Sequence, residues 1–176
     1  MSVAVNKKIL EAVHFICAKA EGLPLGATRL NKILWFTEKE RFLHNLKPML
    51  GLRFIKGPYG PMPPIIEDVC NELAASGLIS IETVNYGAYT YTDIRSLCSP
   101  KPCLLSEEEQ QFLQNLTWEI CTEHSARSIS DLTHNTIYYM LSLGEEYPVD
   151  LALVEKARPA TDEEIASLMQ EDDHVC

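Results

Sequence analysis

Long apolar runs are what this sequence most plainly lacks. No stretch of eighteen apolar residues occurs in its 176, and a helix needs about that many to cross a bilayer, so a membrane-spanning helix is excluded. A secretory core is missing as well, since Glu11, His14 and Lys19 interrupt the apolar positions of the first twenty residues; the expected location is the cytoplasm. The eight glycines nowhere make the G-x-x-x-x-G-K of a phosphate loop, and no G-x-S-x-G elbow presents a hydrolase serine. Internal repeats and low-complexity tracts are absent too, which removes repeat architectures.

Basic residues become scarce after residue 60. Residues 61–176 hold five against twenty-one acids, whereas residues 1–60 hold ten against four. The formal net charge of −10 therefore hides a basic first part and a strongly acidic remainder. A positive half can meet nucleic acid, an acidic protein partner, or its own acidic half on folding. The overall negative charge argues against nucleic acid, because a phosphate-binding surface must outweigh long-range repulsion from the rest of the molecule.

What is present suits one substantial core. At 46% hydrophobic the chain can bury it in a single globular domain, taken here as residues 1–160, followed by a C-terminal helix and frayed acidic tail over 161–176. Six cysteines, Cys17, Cys70, Cys98, Cys103, Cys121 and Cys176, would permit a disulfide framework in a small secreted domain, but a core of this size does not need one. Reduced, mostly buried thiols are expected. A zinc site from Cys98, Cys103, Cys121 and His124 stays open as an alternative, although the four-residue gap in the first pair is looser than in a tight zinc knuckle and Pro100 and Pro102 within it suggest an extended linker. Neither a metal nor another cofactor is expected.

Helical periodicity opens the chain. Val5, Ile9, Ala12, Val13, Ile16, Cys17 and Ala20 form one apolar stripe that stops at Gly22 and Pro24. Thr28 offers an N-cap for a second helix with Leu30, Ile33, Leu34, Thr37 and Arg41 on one face and Lys32, Trp35, Phe36 and Lys39 on the other. A helix apolar on both sides is expected to be sandwiched between layers; the alternative is an exposed cationic and aromatic face. The period then vanishes, and "GLRFIKG" alternates as a short strand ending at Gly57.

A rigid corner follows, because Pro58 and Pro61 fix φ while Gly57 and Gly60 can take φ values closed to other residues. Tyr59 sits at its tip. Pro63 and Pro64 start a third helix that Gly77 closes, and two alternating runs around Asn85 to Gly87 read as a β-hairpin. A linker over 93–105 leads to a capping box, Ser106 with Glu109, and a fourth helix with Phe112, Leu113, Leu116, Ile120 and Cys121 inward. Shorter helical pieces carry Ile129 and Leu132 and then run to Leu143, and Thr161 with Glu164 caps a last helix through Met169. The expected class is α+β and mainly helical: six to seven helices with a small antiparallel hairpin or three-stranded sheet and a winged-helix-like core.

Three blocks, "LNKILWF" (Leu30 to Phe36), "KGPYGPMPPIIEDVCNEL" (Lys56 to Leu73) closed by "GLI", and "LTHNT" (Leu132 to Thr136), occur in an order that resembles the SocA-like Panacea antitoxin family. Asn31 stands where that family usually has Gln and Trp35 where it has Tyr, and "IYYML" replaces the Trp that often follows the His motif. The resemblance implies an antitoxin of a bacterial or prophage toxin–antitoxin pair with no enzyme activity. Its partners would be a cognate protein toxin and, for an adaptor type, an AAA+ protease. The candidate toxin-binding residues are Lys32, Trp35, Phe36, Lys56, Pro58, Tyr59, Thr133 and His134, with Gly57, Gly60, Pro61 and Gly77 shaping the backbone.

Other readings attach to the same residues. A winged-helix DNA-binding regulator would use Arg53, Lys56 and the hairpin as wing. An enzyme would centre on His134 with Asp131 and a serine nucleophile at Ser128 or Ser130, although such short spacings arise easily by chance. Glu107, Glu108 and Glu109 answer a helix dipole, and Tyr89 and Tyr91 share a strand face whose commoner use is packing rather than base stacking.

Overall fold

The computed structural model describes residues 6–87 and 89–156. Val5, Cys176 and the expected helix and tail over 161–176 lie outside the described residues. Within them the chain is mainly helical, with seven helices and two small antiparallel sheets.

α1 (Lys7–Lys19) starts at Asn6, whose side chain accepts from the Lys8 amide at 2.9 Å, and buries Ile9, Ala12, Val13, Ile16 and Cys17. α2 (Ala27–Asn45) begins one residue before the expected Thr28 cap, with Gly26 in the N-cap position and no side-chain cap. Sterics keep residue 26 a glycine, because a Cβ there would stand 2.8 Å from the Thr92 carbonyl oxygen. α2 is the sandwiched helix: Leu30, Lys32, Ile33, Leu34, Trp35, Thr37 and Glu38 are all buried, and it packs on α-helical and strand neighbours from both later halves of the chain.

The rigid corner is a hairpin. β1 (Ile55–Gly57) pairs antiparallel with β2 (Gly60–Met62), Gly57 opposite Gly60, leaving Pro58 and Tyr59 as the turn. Proline's fixed φ forbids the mirror-image turns usual in two-residue loops, and Gly60 takes up the twist at φ 107°. Gly57, by contrast, has no positive φ; its lack of a side chain matters because a Cβ there would lie 2.7 Å from Met62 Sδ. Backbone bonds from Lys56 N to Glu145 O and from Tyr147 N to Phe54 O, each 2.8 Å, lay the 144–147 segment along the other side of β1. That contact is a single bridge, Ile55 with Glu146, so each sheet stays two-stranded rather than forming the three-stranded alternative.

α3 (Ile66–Ala75) buries Ile66, Val69, Cys70 and Leu73 and ends at Gly77, whose φ of 70° lets Leu78 N bond back to Leu73 O at 3.0 Å. The second hairpin, β3 (Ile79–Tyr86) and β4 (Tyr89–Ser96), follows in the expected place, with β4 reaching four residues into the stretch expected as linker. α4 (Glu107–Glu123) carries the capping box complete: Ser106 Oγ accepts from Glu109 N at 3.2 Å and Glu109 Oε2 from Ser106 N at 2.9 Å. Replacing Ser106 by Ala is expected to cost about 1 kcal/mol in urea unfolding, the usual worth of such a cap. α5 (Ala126–Asp131) and α6 (Thr136–Met140) are short, the latter stopping before the expected Leu143, and α7 (Leu151–Lys156) closes the described chain.

The charge asymmetry is partly spent inside the fold. Lys8 pairs with Glu109 at 2.6 Å, Arg41 with Glu108 at 2.7 Å and Arg53 with Glu146 at 3.2 Å, each joining the basic first sixty residues to the acidic remainder. The acids of the first turn of α4 therefore do more than answer the helix dipole.

Candidate functional site

The three sequence blocks converge. Gly60 on β2 faces Lys32 of α2 and Thr133 after α5 so closely that a Cβ on residue 60 would collide with both Lys32 Nζ and Thr133 Oγ1. Thr133 Oγ1 donates to Ser130 O at 2.8 Å, and Ser130 Oγ donates to the Tyr59 carbonyl at 2.6 Å. Tyr138 OH reaches the Gly57 and Pro58 carbonyls at 3.3 and 3.1 Å. The turn is thus held by α5 and α6 through its own backbone oxygens, and the Tyr59 side chain projects outward, 65% exposed.

Lys56 and His134 flank Tyr138. Lys56 Nζ lies 4.2 Å from the Tyr138 ring centroid and donates to Leu141 O at 2.8 Å. His134 stacks on the same ring, centroids 4.0 Å apart and planes 16° from parallel. Burial, then the nearby Lys32 and Lys56 charges against a weaker pull from Asp131, hold the His134 imidazole below its ordinary pKa, so it is neutral at pH 7. Its Nε2 is buried and makes no hydrogen bond among the described residues.

Lys32 is the outlier. A lysine that is 1% exposed normally has a carboxylate beside it, yet this one makes no ion pair or hydrogen bond among the described residues. Burial alone pushes it down to about 7.

The remaining candidates separate into contact and support. Pro58 is exposed beside Tyr59, while Gly57, Gly60, Pro61 and Thr133 are buried beneath it. Trp35 belongs to the core: it is fully buried, edge-on to Phe54 at 5.0 Å and to Tyr147 at 4.9 Å. Its place on a face with two lysines left accessibility open, but Phe54, just before β1, and Tyr147 of the 144–147 segment cover it. Phe36 is half-buried, with Lys39 Nζ 6.0 Å from its ring centroid.

Sequence reasoning passed over Glu38, since an acid within a helix carries no local sign of burial. It is fully buried, with Oε1 accepting from Leu50 N at 2.7 Å. Burial raises its pKa, and the amides of Leu50, Leu52, Met49 and Gly51 oppose that rise; the carboxylate thereby anchors the loop that leads into β1. Also missed were Leu132, Tyr139, Met140 and Leu143, exposed by 60, 72, 78 and 70% respectively, which surround the turn's support with apolar surface.

The enzyme and zinc constellations do not assemble. Ser130 Oγ is committed to Tyr59 O and Ser128 Oγ lies 3.2 Å from Ser125 O, so neither hydroxyl engages His134 among the described residues. Cys98 and Cys103 are exposed and Cys121 is buried, and no group of three or more possible ligands gathers among the described residues. No helix of the described residues is long and apolar enough to cross a membrane.

Comparison with known proteins gives one finding. A family model described as antitoxin SocA-like, Panacea domain, matches residues 30–137, a span that begins with the α2 block and ends just after the "LTHNT" block. No curated protein and no solved structure matches the chain.

Proposed function

Since the chain belongs to the SocA-like Panacea antitoxin family, whose antitoxin character implies a toxin as partner, we propose that it neutralises a cognate protein toxin by direct binding and without catalysis, acting as one domain over residues 1–160. The observation that carries this reading is the exposed Tyr59 on a turn whose backbone is fixed by Ser130 and Tyr138. A preordered loop loses little entropy on binding, and a rigid, half-apolar tyrosine is a good anchor. Leu132, Tyr139, Met140 and Leu143, on or just after the α5 and α6 that hold the turn, are exposed as well, apolar surface of the kind that marks protein interaction sites. Pro58 and Tyr59 make the contact in this reading; Gly57, Gly60, Pro61, Lys56, Thr133 and His134 hold the turn, and Trp35 holds α2.

Co-expression with the product of a neighbouring gene tests it. Growth rescue together with a stable complex is the expected result. Rescue accompanied by disappearance of the toxin would redirect the reading to delivery to an AAA+ protease, and no rescue by the intact chain would remove the antitoxin reading. Tyr59→Ala leaves the supporting hydrogen bonds intact, because those use main-chain oxygens, and should weaken toxin binding at least tenfold at unchanged melting temperature, as an anchor worth about 2 kcal/mol would. Unchanged affinity would reduce the turn to scaffold.

A further inference from the structure

Beside the turn, α2, β2, β4 and α5 enclose an open cleft of about 1520 Å³. We propose that this cleft binds a small molecule through an oxyanion head, a phosphoryl or carboxylate group, received by Lys32, Asn31 and His134. All three residues line the cleft, and each holds an unused polar group. Lys32 is buried without a polar partner. Asn31 Oδ1 and His134 Nε2 are buried and unbonded, and an amide flip lets Asn31 present a donor instead.

Three such groups in one place are costly to leave unpaired, since a buried polar atom without a partner loses about 1–3 kcal/mol and an ammonium more. A single oxyanion answers all of them, because its oxygens accept from several sides at once. Gly60 leaves room for the ammonium itself, since a Cβ at that position would collide with Lys32 Nζ.

The other charges of the cleft are mostly committed. Arg29 donates to the Pro24 and His124 carbonyls at 2.9 Å each, and Arg95 pairs with Asp93 at 2.6 Å. Glu21, Asp131 and Arg127 remain on the lining, with Lys56 behind His134. The buried Lys32 end therefore holds an amine without a partner, and a negative head seated there would favour its charged form. The cleft is larger than the roughly 300–1,000 Å³ usual for ligand sites, so the ligand can carry a body beyond the head. Tyr59 and Tyr91, both exposed on the lining, offer that body aromatic surface.

The test uses the full chain and two probes, inorganic phosphate and acetate, titrated at fixed ionic strength while amide NMR shifts are followed. Saturable shifts at Asn31, Lys32, Gly60 and His134 are expected, with affinity reduced at least tenfold in Lys32→Met and reduced also in Asn31→Ala, a half-buried position whose loss spares the core. Tighter phosphate assigns a phosphoryl head and tighter acetate a carboxylate. Shifts that grow linearly without saturating, or that saturate at the same concentration in both variants, would overturn the site. No toxin enters the measurement, so its outcome is separate from the antitoxin reading.

Discussion

Gly60→Ala should destabilise the protein by about 3 kcal/mol, with the loss visible as an early urea midpoint. Two costs add. A φ of 107° is strained for any residue with a Cβ, at about 1–2 kcal/mol, and the new methyl would collide with Lys32 Nζ and Thr133 Oγ1. Lys32 can swing aside only by moving its ammonium within a buried setting, and Thr133 can move only by stretching its 2.8 Å bond to Ser130 O, worth about 1 kcal/mol. A double-mutant cycle separates the two. In a Lys32→Ala background the alanine at 60 should cost at least about 1 kcal/mol less, because the larger of its two collisions is gone. Equal costs in both backgrounds would mean that the Lys32 collision adds nothing and that backbone strain and the Thr133 contact carry the effect.

Lys32→Met should do the opposite and stabilise the chain, by about 3 kcal/mol at pH 7. The amine sits at about 7 in the folded protein against an ordinary 10.5, so between those values the unfolded chain holds a proton that the folded one has released. Stability then rises with pH, at up to about 1.4 kcal/mol per unit. The destabilisation from Lys32 is complete below pH 7 and is relieved as pH approaches 10.5; the advantage of the methionine variant must shrink over the same window. Unfolding both proteins at pH 7 and at pH 9.5 checks this, since the difference between them cancels the other titrating groups. A variant less stable than the parent at both values would show that Lys32 has a counter-charge in the folded state. A buried, unpaired lysine whose removal stabilises is the pattern expected of a residue kept for binding rather than for folding.

Local chemistry was the legible layer. Ser106 with Glu109, Gly77 after α3, and Asn85 to Gly87 between alternating runs each announced a helix start, a helix end and a hairpin turn, because each acts within a few residues along the chain. Thr28 misled for the same reason in reverse: its hydroxyl is a good cap locally, yet α2 starts after Gly26, a position that the approach of Thr92 from β4 closes to any side chain. The corner read as rigid from its prolines and glycines, while its pairing as β1 with β2 escaped notice because three-residue strands are too short to alternate visibly.

The candidate site was half legible. The three blocks named its members, Lys32, Gly60, Thr133 and His134 among them, but not their meeting point, and the same face of α2 that offered Lys32 offered Trp35 on equal terms. Both are buried, and what distinguished them is their neighbours: Phe54 and Tyr147 pack on Trp35, while Lys32 meets no polar partner among the described residues.

By itself, then, the sequence determined the mainly helical α+β class, the position of most elements and the family, since these follow from periodicity, caps and short motifs. Tertiary structure alone decided that Lys8, Arg41 and Arg53 meet acids about 70 to 100 residues away, that Glu38 is an anchor and that Lys32 is a buried cation without a partner. The reason is physical. Propensity and patterning act between neighbours in the chain, whereas desolvation and ion pairing depend on the distance between groups in space, which only the packed fold supplies.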